Sequence, residues 1–396
     1  MIIFTFPFYI ILVIVVLMII PTSIGIHIHC IFLERSQIYY NEKYNLTQSK
    51  VFNLSDNMKI IYGWIDFANI ENHSFHSYSN FSKCQMCNFS PHNHGFIDHD
   101  DSNDLIVSFL IGKMAGVIPF IQSLRTTGSK AQIAIFVDTL TLHTIHQRFG
   151  SFMDYCGVNL IEIGDYQKVK YYRHIYYIKY LTAASFLSTH NQFNRILITD
   201  VSDVIFQGNP FLTPFPHNNT FIVSPEFEKN GLNTSHWNTG KEYKIIRLLA
   251  ENKNHTNTFA YHRQRRYYNG GIILTTQYLA INHTLNVINI LNKLTTSQWN
   301  RLDRLNIRVE EQNVHNFAIN EYLWKNKSIK VISDGPNHEI FMLWGRKIVR
   351  GQKFPDFKYK GKYVLLFHLT YIDKKYCKSI KYKCPPIFKF KPYYRC

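Results

Sequence analysis

The sequence predicts an α/β protein with a mainly parallel sheet flanked by helices, preceded by an N-terminal transmembrane helix. Three observations predict this class. Strand-like and helix-like segments alternate from about residue 104, a pair of carboxylates follows one strand at mid-chain, and residues 2–20 form an uncharged apolar run. With 396 residues, of which 46% are hydrophobic and 15% aromatic, the chain is long enough to bury a large core.

The alternation of elements is clearest between residues 104 and 200. Aliphatic runs typical of buried strands occupy residues 104–112, 131–138, 158–164 and 195–200. Helices are predicted over residues 116–128, around 143–157 and over 172–189, the first ending at Gly128. Strands that alternate with helices pair in parallel, with helices covering the sheet.

The N-terminal run "IIFTFPFYIILVIVVLMII" has no charge, and as a helix rising about 1.5 Å per residue it just spans a bilayer. A cleaved signal peptide usually has a basic start, which this run lacks, so an uncleaved anchor is favoured; Ser23 and Gly25 leave cleavage open. The predicted organisation is an anchor (2–20), a stem (21–103), a folded domain (104–372) and a basic, Cys-containing tail (373–396).

Ten Asn-x-Ser/Thr sequons indicate exposure to the glycosylation machinery. Their asparagines are Asn45, Asn53, Asn72, Asn80, Asn88, Asn218, Asn233, Asn254, Asn282 and Asn326. Five fall between residues 45 and 90, where no globular pattern is evident, so this segment is interpreted as a glycosylated stem. The alternative is that an Asn-rich chain forms sequons by chance.

The seven cysteines are compatible with disulfides in an oxidising compartment, but their pairing is open. Cys84 and Cys87 lie towards one end of the chain, and Cys377, Cys384 and Cys396 lie at the other. A zinc site is a rival interpretation, with Cys84, Cys87, His92 and His94 as ligands. Because the two ligand pairs are closer in sequence than in a zinc finger, a local disulfide or plain stem is preferred.

The formal net charge is +17, from 44 basic and 27 acidic residues. This excess suits acidic partners such as nucleotide diphosphates, anionic glycans or lipid headgroups. Eight basic residues lie between 374 and 396, where a solvated tail pinned by a disulfide is expected. Nucleic acid is not an expected partner, because the sequons and the apolar run indicate a lumenal chain.

The stretch "ILITDVSDVIFQGNPF" (196–211) places Asp200 and Asp203 directly after a strand. An uncompensated buried carboxylate is costly, so something at this strand end must balance the charge. Ligands of parallel sheets bind at the carboxyl ends of strands, and Mg²⁺ or Mn²⁺ prefers carboxylate oxygens and bridges them to phosphates. The alternative is that Asp200 caps a turn and Asp203 pairs with a lysine.

The stretch 195–211, together with "YYNGGIILTT" (267–276), resembles the Asp-x-Asp region and the Asn-Gly-Gly strand of nucleotide-sugar glycosyltransferases with the glycosyltransferase-A fold. The resemblance covers residues 104–370. It implies a metal-dependent transfer of a sugar from a nucleotide-sugar donor, with a UDP-sugar favoured, to a glycan, protein or lipid acceptor. It also implies a single-pass type II protein of the Golgi or ER membrane whose catalytic domain is lumenal.

The same resemblance implies a metal site formed by Asp200, Asp203 and His368, with Mn²⁺ (or Mg²⁺) as cofactor. In these transferases the two acids are two residues apart, whereas here they are three apart and Ser202 takes the usual second position. Residues three apart on a regular strand face opposite sides, so both acids can bind one ion only if the chain turns after Asp200. The alternative for His368 is an ordinary core histidine.

The resemblance also implies Glu311 and Gln312 as catalytic candidates and Asn269, Gly270, Gly271 and Asn316 as donor or acceptor candidates. The chemistry of a departing diphosphate adds cations that could reach the phosphates, namely Arg173, Arg263, Arg265 and Arg266. An inverting enzyme would need a carboxylate base, for which Glu311 or Glu226 is possible. Each candidate has a structural alternative. Asn269 and Gly270 could form an ordinary turn before a buried strand, and Glu311 could be favoured in a first helical turn by the helix dipole. Any of the arginines could be a surface charge.

Two rival functions remain open at the level of sequence. The irregular spacing of the acids motivates a catalytically inactive relative that binds glycans or assists another transferase. A metal-dependent hydrolase using Asp200 is the second rival; it ranks last because the sequence offers no second cluster of acids or histidines for the same sheet edge.

Overall fold

The computed structural model describes residues 49–93, 98–112, 116–166, 172–215, 217–225, 241–251, 267–305, 310–333, 340–342, 352–359, 361–368 and 374–384. The expected anchor at residues 2–20 lies outside these ranges. Within them, no helix is both long and apolar enough to cross a membrane. The described residues all belong to one compact unit.

The centre of this unit is a seven-stranded sheet of order β3-β2-β1-β4-β7-β6-β8. In chain order its strands are β1 (Leu105–Leu110), β2 (Gln132–Val137), β3 (Val158–Glu162), β4 (Arg195–Thr199), β6 (Thr220–Pro225), β7 (Tyr268–Thr276) and β8 (Lys330–Ser333). Four neighbouring pairs are parallel, and β7 runs antiparallel to β4 and β6. The prediction of an α/β fold with a mainly parallel sheet is confirmed.

Ten α-helices are assigned in the described ranges, and helices flank the sheet. They are α1 (Asp56–Tyr62), α2 (Phe67–Glu71), α3 (Val117–Thr126), α4 (Thr139–Tyr155), α5 (Ile178–Thr189), α6 (Lys241–Glu251), α7 (Gln277–Asn292), α8 (Thr296–Leu305), α9 (Glu310–Ala318) and α10 (Lys374–Lys383). The helix predicted over 172–189 divides into a 3₁₀ turn (Tyr172–Tyr177) and α5, and the one predicted around 143–157 begins earlier, at Thr139.

Burial explains why these segments form these elements. All six residues of β2 are buried, as expected for a central parallel strand covered by helices. A continuous apolar core lies between the sheet and helices α3 and α4. Helix α5 is buried along ten consecutive residues, Ile178 to Leu187, because it packs against α2, α7 and β1. A helix enclosed in this way places even its polar side chains inside the protein.

A second, three-stranded sheet adjoins the carboxyl end of β4. It has the order β5-β12-β9, with β5 (Val204–Phe206), β9 (Ile340–Met342) and β12 (Leu366–His368). Strand β12 pairs antiparallel with β5, so that His368 lies opposite Val204. A short hairpin of β10 (Lys358–Tyr359) and β11 (Lys362–Tyr363) precedes it. This small sheet brings the C-terminal part of the chain to the mid-chain acids.

Residues 49–93 belong to the folded body, whereas the sequence placed them in a stem. The side chains of Met58, Phe67 and Ile70 are fully or almost fully buried, and α2 packs against α5. The segment lacks a long periodic pattern because its two helices are only seven and five residues long. Short elements of this kind are stabilised by tertiary packing and leave a weak signal in sequence.

The cysteines of this segment form long-range disulfides, Cys84 with Cys156 and Cys87 with Cys384. The expected local disulfide and the zinc alternative on Cys84 and Cys87 are therefore both wrong. Sequence spacing misled here because cysteines three residues apart can point to different partners. The second bridge ties the N-terminal segment to Cys384, directly after α10, so the disulfide expected in the basic C-terminal segment is confirmed. Residues 374–383 form a helix, which the sequence analysis did not predict.

Candidate functional site

Asp200 and Asp203 lie at the carboxyl end of β4, where the chain bends before β5. The Asp203 side chain is buried and that of Asp200 is about a quarter exposed. The bend over residues 201–203 brings both carboxylates to one side, which a straight strand would not do. It can form beside α3 because Gly116 has a φ of +89° and its Cα approaches the backbone of Ser202 too closely for any Cβ.

His368 completes a cluster with the two acids. Its Nε2 lies 3.4 Å from Asp200 Oδ2 and 3.3 Å from Asp203 Oδ1, and one ligand atom from each residue lies within 4.8 Å of the others. The pairing of β12 with β5 fixes this position, because it sets His368 beside the strand that Asp203 precedes. Three residues named from the sequence as metal ligands are therefore brought together.

Gly271 leaves room for this cluster. A Cβ at Gly271 would lie 2.6 Å from Asp200 Oδ2 and 2.7 Å from His368 Cε1, closer than real Cβ contacts. The backbone of β7 thus contacts two of the candidate ligands directly, and the Asp200 N–H donates to the Gly271 carbonyl at 3.1 Å. Gly270 differs, because a Cβ there would meet its nearest atoms at 3.5 Å or more. Only the second glycine of the pair is required sterically.

Lys179, on α5, is a functional candidate that the sequence analysis missed. Its side chain is 3% exposed, and its ammonium donates to the Gly270 carbonyl at 2.7 Å. The same Nζ lies 3.8 Å from Asp200 Oδ1 and 3.8 Å from Glu311 Oε1. One buried cation therefore connects the metal-site candidates with the predicted catalytic acid. The available signal was weak, namely that Lys179 is the single charged residue of an otherwise uncharged helix.

Asn269 and Gln312 bind each other beside the cluster. The Asn269 side-chain oxygen accepts from the Gly271 N–H at 2.8 Å, and its Nδ2 donates to Gln312 Oε1 at 3.1 Å. Both side chains are buried, and so is that of Glu311. These bonds hold the N-terminal turn of α9 against the start of β7. The candidates named from β7 and α9 consequently line one region with the acids.

Asn316 has a structural role in this arrangement. Its side chain accepts from the Tyr268 N–H at 2.7 Å and donates to the Tyr268 carbonyl at 2.7 Å. Because its amide pairs in both directions with the backbone of β7, Asn316 anchors α9 to that strand. The contact with a sugar hydroxyl that the resemblance implied for Asn316 remains a prediction.

The electrostatics of the cluster follow from burial and charge. Burial alone lowers the pKa of His368, but the carboxylates of Asp203 and Asp200 outweigh it and raise that pKa to about 9. The pKa of Tyr180 is raised well above its usual value by burial and then by Glu311 and Asp200. The carboxylates of this region therefore favour a nearby positive charge.

These residues fit a divalent cation. Two carboxylates and an imidazole are an acceptable donor set for Mn²⁺, and neighbouring ligands of one ion lie about 3 Å apart when each bond is about 2.1 Å. The observed separations of 3.3 and 3.4 Å are close to that value. When the imidazole of His368 is neutral, the net charge of the site is −2. It is the sum of three carboxylates (Asp200, Asp203 and Glu311) and one ammonium (Lys179). A divalent cation would balance it.

Four cations and one acid remain among the candidates proposed from the sequence. Arg173 lies in the 3₁₀ turn Tyr172–Tyr177, next to the start of α5. Arg263, Arg265, Arg266 and Glu226 lie outside the described residues. No position relative to the cluster is assigned to any of these side chains.

Comparison with known protein families and with curated proteins found no family model and no protein that matches this chain.

Proposed function

We propose that this chain is a metal-dependent glycosyltransferase with a glycosyltransferase-A-like domain. It would transfer a sugar from a nucleotide-sugar donor, with a UDP-sugar favoured, to a glycan, protein or lipid acceptor, using Mn²⁺ or Mg²⁺. The observation that carries the proposal is the cluster of Asp200, Asp203 and His368 at the carboxyl end of β4. That edge of a parallel sheet is where ligands bind in such folds.

The chemistry of the donor accounts for the residues around this cluster. A divalent cation, when bound, neutralises the negative charge that develops on a departing nucleotide diphosphate. Asp200, Asp203 and His368 would hold that cation. Lys179 fixes Asp200 and the Gly270 carbonyl in place. In an inverting transfer, Glu311, buried beside Lys179, would accept the proton of an acceptor hydroxyl, with Glu226 as the alternative base.

Two features support a location in the secretory pathway, with the domain in the lumen of the Golgi or ER and residues 2–20 as the membrane anchor. Two disulfides are expected where the environment is oxidising. Of the seven sequon asparagines within the described ranges, six are exposed and Asn282 is partly buried. Exposed sequons are accessible to glycosylation.

A second candidate is a catalytically inactive, glycan-binding relative. It is favoured by one observation, namely that His368 and Lys179 already lie against the acids. With His368 protonated, the five charged groups sum to −1 without any metal. Such a cluster could hold the small sheet against β7 and have no role in transfer.

The deciding experiment measures nucleotide release from UDP- and GDP-sugars by the full-length protein with and without Mn²⁺. The variants are Asp200→Asn and Asp203→Asn, with Asp154→Asn, exposed on α4, as the matched control. We expect release from one donor that requires metal, falls at least ~100-fold in both site variants and is unchanged in the control. Folded protein that releases no nucleotide and binds no donor would refute transfer and leave the glycan-binding candidate.

A further inference from the structure

A basic cleft lies between α6 and α8, outside the cluster of acids. Its volume is about 610 Å³, within the range of ligand sites in proteins. It is lined by Lys244, Arg247, Leu248, Glu251, Arg301 and Arg304. Four cations and a single carboxylate give this cleft, named here the α6–α8 cleft, a formal charge of +3.

Helical spacing places these charges on facing surfaces. Lys244, Arg247 and Glu251 lie three and four residues apart on α6, and Arg301 and Arg304 lie three apart on α8. The side chain of Gln298 on α8 donates to the Leu248 carbonyl at 3.2 Å, which joins the two helices. The cleft is therefore a defined concavity between two connected helices, with cations on both walls.

Among the described residues that line the cleft, the one carboxylate is already paired. Glu251 Oε2 lies 3.0 Å from Arg301 Nη1. Within the described part of the chain, no carboxylate forms an ion pair with Lys244, Arg247 or Arg304. Like charges that face each other repel, and a bound anion would relieve that repulsion. Two guanidinium groups on opposite walls suit an oxyanion, because each offers a planar fork of N–H donors.

We propose that the α6–α8 cleft binds a phosphate or sulfate ester carrying at least two negative charges. The four cations favour an anionic ligand, and the volume accommodates a group as large as one or two sugar rings. This site is separate from the candidate metal cluster, since none of its lining residues belongs to that cluster. It binds anions through side chains alone and needs no divalent cation.

The test is calorimetric titration of the full-length protein with tripolyphosphate and with a sulfated disaccharide, in EDTA. The chelator removes any contribution of the metal cluster, so this test and the test of glycosyl transfer fail independently. We expect one site for at least one probe, weakening as salt is raised. Arg247→Gln/Arg304→Gln, which changes two exposed side chains, should weaken binding at least ~10-fold.

The control removes the same charge elsewhere. Lys330→Gln/Lys362→Gln replaces two exposed lysines outside the cleft and should change the affinity less than ~2-fold. Glu251→Gln should tighten binding, because it frees Arg301 and removes the carboxylate. Equal weakening by the two double variants would show diffuse attraction by a basic protein and overturn the proposal. Absence of binding to both probes would overturn it as well.

Discussion

Replacing Gly271 by alanine tests the geometry of the metal cluster most directly. The new Cβ would lie 2.6 Å from Asp200 Oδ2, where ordinary contact begins at 3.4 Å, a shortfall of about 0.8 Å. Metal–ligand distances tolerate only about ±0.2 Å, so the carboxylate cannot stay in place and bind the ion well. Changes that displace or reorient a metal ligand typically cost about 10- to 100-fold in metal affinity, and we expect a loss of that size for Mn²⁺.

The assay is calorimetric titration of Mn²⁺ into wild-type protein and two alanine variants. The chain supplies a matched control in Gly270→Ala, because a Cβ there meets Tyr180 Oη, Glu311 Oε1 and Lys179 Nζ at ordinary distances of 3.5 to 3.6 Å. We expect Gly270→Ala to keep its Mn²⁺ affinity within ~3-fold. Equal affinities for Gly271→Ala and Gly270→Ala would refute the placement of Asp200 against β7.

Two further predictions concern the charges around the cluster. Lys179→Met leaves the carboxylates of Asp200 and Glu311 without the buried cation that they share. In urea titrations, the free energy of unfolding should fall by about 3–5 kcal/mol. The control is Lys59→Met, which removes an exposed ion pair and should lower this free energy by less than ~1 kcal/mol. Similar losses in both variants would contradict the burial of Lys179. The pKa of His368 is about 9 in the folded state and 6.5 in the unfolded state, so protonation of this side chain stabilises the fold. With metal removed by EDTA, this contribution of roughly 3 kcal/mol is complete below pH 6.5 and is lost as the pH rises to 9. Urea titrations of the wild type from pH 6 to 9.5 should show this decline in the free energy of unfolding. The same decline in His368→Gln would show that His368 is not its cause.

Much of the candidate site could be named from the sequence, since its residues carry strong local signals. Carboxylates after an aliphatic strand and a pair of glycines before another are unusual enough to be noticed without a structure. Lys179 was missed because a lysine within a helix is normally assigned to a solvated face. Its burial depends on the packing of α5 against α2, α7 and β1, which no local pattern reports.

Within the described residues, the sequence by itself determined the class of fold and the identity of the acids at the end of β4. Hydrophobic periodicity and helix-end signals are local properties of the sequence, so they reveal directly that strands and helices alternate along the chain. Only the tertiary structure decided that His368 lies beside Asp200 and that Cys87 pairs with Cys384, 297 residues away. It also decided that residues 49–93 pack into the body. These contacts join segments distant in the chain, and their energy comes from burial and pairing that exist only once the sheet has assembled.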